Sequence, residues 1–184
     1  MKSITNGWRF GTALAPVLLS SFGFLTLLDD YLDMPGKRGN DIEIPMQDGE
    51  TFASKYYSPR VMTFGMEITA DNICDLDEKL DNLKALLGGR VQKYLSNTMF
   101  PGGERRALAE VTTPLGVTRD TDPLAARIVI VFKMTDPFMR SPVATSVSFS
   151  GAAYTLNNPG TADERRAIIT LTGPLTAPTI TNTT

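Results

Sequence analysis

Apolar and polar residues alternate without a break along Arg60 to Thr69, RVMTFGMEIT, with Met62, Phe64, Met66 and Ile68 set against Thr63, Glu67 and Thr69. A period of two sends the two sets to opposite faces, so the segment predicts a half-buried β-strand. Pro59 sits just ahead of it, where a missing N–H is tolerated. The period then changes. In DNICDLDEKLDNLKALLGG, Ile73, Leu76, Leu80, Leu83 and Leu87 recur at steps of 3 and 4, which is the apolar stripe of one helix. Asp71 or Asn72 can cap its start, and Asp75 and Asp77 suit the positive end of the helix dipole. Gly88-Gly89 offers the positive φ that many helix ends use. Burying each leucine is worth about 1.5–3 kcal/mol, so this helix is expected to dock.

Two further strands are predicted. Arg105 to Thr113 reads RRALAEVTT, and Ala126 to Thr135 reads ARIVIVFKMT. In the second, Ile128, Ile130, Phe132 and Met134 form one face while Val129 and Val131 make the other apolar too. Such a strand lies centrally in a sheet or faces a partner. Asp136-Pro137 stops it, since proline has no ladder donor.

After Pro142 the texture shifts to a Thr- and Ser-rich tail low in charge. Val143, Thr145, Val147 and Phe149 alternate, as do Ala167, Ile169 and Leu171, and turns at Asn157-Asn158-Pro159-Gly160 and Gly173-Pro174 divide them. The expected organisation is a main domain over residues 1–140 and a short β module or arm over 141–184. Glu104-Arg105-Arg106 recurs as Glu164-Arg165-Arg166 before a second alternating run. The plain reading is a charged entrance to each strand.

The run Gly11 to Leu28, GTALAPVLLSSFGFLTLL, is too short and too interrupted by Pro16, Ser20, Ser21 and Gly23 for a spanning helix. Its small-residue site, Ala13-Leu14-Ala15, precedes the apolar block instead of following it, the wrong order for a signal peptide. One or two core or interface strands are expected there, and no membrane.

Composition removes most chemistry. The chain of 184 residues has no histidine, one cysteine (Cys74), a formal charge of -2 and a pI near 5.2. Without histidine the commonest general base and metal ligand are missing, and no Ser/His or Cys/His dyad can form. One cysteine builds neither an intrachain disulfide nor a thiolate zinc site. A chain that grips phosphates carries a basic excess, and this one does not. No nucleotide, hydrolase or calcium-loop motif is present; Asp29-Asp30 and Asp33 lack the ligand spacing of a calcium loop. Asn182-Thr183-Thr184 matches a glycosylation acceptor, as a tripeptide often does by chance. No catalytic residue, cofactor or metal is assigned.

The order of elements resembles the distal tail proteins of long-tailed (siphovirus-type) phages, particularly those of actinobacteria. The resemblance rests on PGKRGNDIEIPMQDGE ahead of SPRVMTFGMEI, then DNICDLDEKLDNLKALLGG and ARIVIVFKMTDPFMRS, roughly Leu32 to Arg140. ERRAIITLTGPLTAPTITNTT looks like the opening of a galectin-like β-sandwich. The resemblance implies a mainly β fold with one flanking helix, a tail-tube-like β-sandwich or barrel. It implies a homohexameric ring in the virion at the distal end of the tail, meeting the tail tube, tape measure and tail-tip hub proteins. Genomic DNA passes through such a ring without specific binding. Residues 141–184 are too few for a complete galectin-like domain. A closed ring needs a heterologous interface, two different patches that mate head to tail. Lys37, Arg38, Glu43, Asp48 and Glu50 on the turn-rich ribbon, with Trp8 and Phe10, are the expected inter-subunit contacts. Lys37 and Arg38 are expected to meet acidic residues of the next subunit or ring. A related tube subunit and a carbohydrate-binding β-sandwich are the alternatives.

Overall fold

The computed structural model describes residues 7–28, 34–43, 45, 48, 50–98, 100, 102–112, 116–119, 122–149, 154–158, 160, 167–173 and 179–181. The chain divides into two compact units, Met1–Thr145 and Ser146–Thr184. In the first, the strands are β1 (Trp8–Gly11), β2 (Pro16–Leu18), β3 (Phe24–Leu27), β4 (Lys37–Arg38), β5 (Ile42–Glu43), β6 (Glu50–Thr51), β7 (Tyr56–Tyr57), β8 (Arg60–Thr69), β9 (Lys93–Asn97), β10 (Arg105–Val111), β11 (Gly116–Arg119) and β12 (Ala125–Met134). The helix α1 spans Ile73–Leu87, and a 3-10 turn covers Leu19–Ser21.

One antiparallel sheet carries the order β2-β1-β9-β10-β12-β8-β3, with β11 beside β12. The long pair is β12 and β8, aligned from Ala125↔Thr69 to Met134↔Arg60. On its other edge β12 meets β10 along Val111↔Phe132 to Ala109↔Met134, then β11 along Gly116↔Val129 to Arg119↔Ala126. The doubly apolar strand is therefore central, as its sequence predicts.

The two ends of that order are close along the chain. A flat sheet would set β2 and β3 about 29 Å apart, six spacings of about 4.8 Å. The chain from Leu18 to Phe24 reaches at most about 22 Å, and its 3-10 turn shortens that. The sheet therefore curls, and its concave face holds the core.

That core joins alternate residues of the strands to the helix. Met62, Phe64, Met66 and Ile68 of β8 and Ile128, Ile130, Phe132 and Met134 of β12 pack with Leu76, Leu80, Leu83 and Leu87. Trp8 meets Phe64 at 5.2 Å, Phe64 meets Phe132 at 5.6 Å, and Phe10 meets Phe132 at 4.9 Å between ring centroids. Each such pair adds about 0.5–1.5 kcal/mol to the burial of its rings.

The helix takes one of its two expected caps and departs from the sequence reading at Ile73 and at its C-terminal end. Asn72 is the cap, its Oδ1 accepting from the Asp75 N–H at 2.8 Å. Ile73, at the first turn, is half exposed and outside the stripe. Gly88 closes the helix with φ -75°, so the positive φ expected there is not used. No described helix is long and apolar enough to cross a membrane.

Candidate assembly surface

The turn-rich ribbon folds as an arm. β4 pairs β7 (Lys37↔Tyr57, Arg38↔Tyr56), and farther out β5 pairs β6 (Ile42↔Thr51, Glu43↔Glu50). The two short ladders are an interrupted hairpin whose strands are too short to hold by pairing alone. Asp41 bridges the interruption. Its Oδ1 accepts from the Ala53 N–H at 3.1 Å and its Oδ2 meets Lys55 Nζ at 2.6 Å. These contacts, the Lys55 bond foremost and the Ala53 bond next, hold the Asp41 carboxyl below its usual pKa. At the base, Ser58 N–H donates to the Gly36 carbonyl at 2.7 Å, and Tyr57 packs edge-on against Phe138 at 5.1 Å.

The sequence-predicted contact residues separate into two groups. Lys37, Arg38, Glu43, Asp48 and Glu50 all lie on the arm and are exposed. Lys37 Nζ stands 5.9 Å from the Tyr57 ring centroid. Trp8 and Phe10 are 0% and 2% exposed, so in this chain they are core residues with no surface to offer a neighbour. In Trp8-Arg9-Phe10 the alternation sends two aromatics to one face and a cation to the other, without telling which face the fold covers.

The convex face of the sheet is the second surface. On it Arg127 pairs with Glu67 at 4.0 Å and Lys133 with Glu110 at 3.8 Å across strands, while on the opposite, helix-facing side Arg119 meets Asp77 of α1 at 2.7 Å. Between them lies an apolar stripe. Phe24, Leu28, Val61 and Val129 are about half exposed or more, and Leu28 covers Gly65, with its side-chain carbons 3.6 Å from where a Cβ would stand. Phe24 and Leu28 of this stripe come from the N-terminal apolar run, where core or interface strands are expected.

Other sequence-level candidates carry less. Cys74 is exposed. Arg105 stacks over Phe100 at 5.2 Å and Arg106 over Tyr94 at 4.5 Å, so the first Glu-Arg-Arg entrance is braced by aromatics. Asp29, Asp30, Asp33, the Glu164-Arg165-Arg166 repeat and Asn182-Thr183-Thr184 lie outside the described residues. In the second unit every described residue is exposed, and Phe149 stacks on Tyr154 at 4.8 Å. Among the described residues no group of acidic, cysteine or histidine side chains could hold a metal ion.

Residues 17–123 match a family described as the phage tail protein RIFT-related domain. No curated protein matches the chain by sequence. Among solved structures, the SPP1 Dit (gp 19.1) protein is similar in fold, with a TM-score of 0.54 at 13% identity over 71% of this chain. That structure is presented as a paradigm of the hub adsorption apparatus in phages infecting Gram-positive hosts. The match covers 50% of the SPP1 chain, so this chain spans about half the length of the structure it resembles.

Proposed function

Because the chain belongs to the phage tail protein RIFT-related domain family, we propose that it is a structural virion protein forming a ring at the distal end of the tail tube. The ring joins the tube to the tail-tip hub and leaves a channel for DNA. The observation that carries this reading is the family match combined with the fold shared with SPP1 Dit. The curled sheet is then the tail-tube-like barrel of one subunit, with α1 as its cover. Copies of the chain, the tube protein, the tape measure protein and the hub are its partners, and it performs no catalysis.

Two features of the molecule support a ring. The arm is a projecting element with little core of its own, and the convex face exposes an apolar stripe bounded by paired charges. A closed ring needs two such unlike patches per subunit. On β12 the cations Arg127 and Lys133 are offset by carboxylates on adjacent strands, which suits a channel wall that lets a polyanion pass. Native mass spectrometry with electron microscopy of the purified chain tests the reading. Discrete sixfold rings with an open centre are expected; extended stacks of rings would reassign the chain to the tube, and a solitary monomer at high concentration would remove the proposal.

A further inference from the structure

On β12, Arg127 and Lys133 have carboxylates on neighbouring strands; another set of cations lies in one row. Register places Arg9 opposite Ser96 and Ser96 opposite Arg106, and Arg106 bridges Arg140 through reciprocal backbone bonds of 2.8 and 2.9 Å. Facing residues in antiparallel strands lie on the same face about 5 Å apart, so Arg9, Ser96, Arg106 and Arg140 form one line across the convex surface. Arg140 has Asp136 at 3.2 Å. Among the described residues neither Arg9 nor Arg106 is paired with a carboxylate; Arg106 instead stacks on Tyr94 and donates to the Pro142 carbonyl at 3.2 Å. Ser96 is 2% exposed and its Oγ has no hydrogen-bond partner. The directly opposed Arg106 and Arg140 have Asp136 on the Arg140 side, and Arg9 lies two strands from Arg106, so the row favours the approach of a further anion.

The arm carries the converse. Glu43 and Glu50 face each other directly in the β5–β6 pair, and Asp48 lies in the turn between them. All three are exposed, and none has an ion pair among the described residues. Like charges directly opposed across strands are also unfavourable. The acidic tip lies up to about 20 Å along the arm from the Lys37↔Tyr57 base, six residues at strand rise.

We propose that the acidic tip of the arm, Glu43, Asp48 and Glu50, docks on the Arg9–Ser96–Arg106–Arg140 row of a second copy of this chain. The inference rests on the ring reading and names the two patches that mate in it. Carboxylates accept bidentate hydrogen bonds from guanidinium groups. The contact is heterologous, so it propagates head to tail and closes only in a ring.

Sedimentation velocity of the full chain over a concentration series tests it. Reversing the tip (Glu43→Lys with Glu50→Lys) or the row (Arg9→Glu) is expected to weaken self-association about tenfold or more, and combining them to restore it to within about threefold. Arg9→Gln is expected to weaken it without rescue by the reversed tip. Circular dichroism verifies folding, and the fully exposed tip variant gives the answer even where a row variant misfolds. Single reversals that assemble like the parent overturn this proposal and leave the ring standing; a parent that stays monomeric overturns both. Retention of the parent on double-stranded DNA, lost in Arg9→Glu, also overturns it by assigning the row to phosphate.

Discussion

Asp41 ties together two strand pieces that pairing alone would leave loose, and its protonation should release them. Its folded pKa lies below the ordinary carboxylate value, so the stabilisation it gives is present above that ordinary value, about 3.9, and fades as pH falls through the depressed one. The protection of the Ala53 amide, relative to its intrinsic exchange rate, is therefore expected to fall selectively below about pH 4, while the amides of β8 keep theirs. Asp41→Asn should lower the protection of the Ala53 amide at neutral pH and leave that protection unchanged as pH falls through about 4; unchanged protection would show that the arm is held by something else. In the core the expectation is larger. Phe64 touches both Trp8 and Phe132, so Phe64→Ala should cost about 3–5 kcal/mol in denaturant unfolding. A loss under 1 kcal/mol would mean the aromatic chain does not brace the sheet.

The elements legible in the sequence were those whose periodicity ran long enough to be unambiguous. β8 alternates through ten residues, α1 repeats leucines over four turns, and β12 is apolar on both faces as a central strand must be. The arm was legible as a turn-rich, charged ribbon because proline, glycine and charge leave it nothing to bury. β9 and β11 were missed: KYLSN and GVTR are short, and their side-chain pattern gains meaning only from the strands beside them. Trp8 and Phe10 were misplaced for a related reason. A four-residue strand cannot reveal which sheet face is covered until its partners are known. Helix α1 gives the cleanest energetic check at this scale. Leu83→Ala, at a fully buried position, should cost about 2–5 kcal/mol, and Asn72→Ala, which removes the cap, about 0.5–2 kcal/mol. Equal effects at the two sites would argue against the helix being held chiefly by its leucine stripe.

At the scale of the whole molecule, the two units differ in what could hold them. Residues 1–145 contain every buried side chain described, whereas each described residue of 146–184 is exposed and none lies in a hydrogen-bonded strand. The alternation of Val143, Thr145, Val147 and Phe149 did not become a paired strand here, because alternation supplies a strand's faces but not the neighbour whose backbone it must bond. A unit of thirty-nine residues whose described side chains are all exposed adds little to cooperative unfolding. A chain ending at Thr145 is therefore expected to keep its thermal midpoint within about 2 °C of the parent, since a change of 1 kcal/mol moves a domain of this size by only about 2–4 °C. Mild proteolysis of the parent should cut first after Thr145 and leave a fragment that unfolds in one transition. A midpoint lowered by about 10 °C would show that the second unit supports the first, because only a loss of several kcal/mol could produce it. The ring proposal makes the same experiment informative about assembly. The arm and the arginine row both lie within residues 1–145, so the shortened chain should self-associate as strongly as the parent. Weaker association at an unchanged midpoint would place part of the subunit interface in residues 146–184 and move the search for it there.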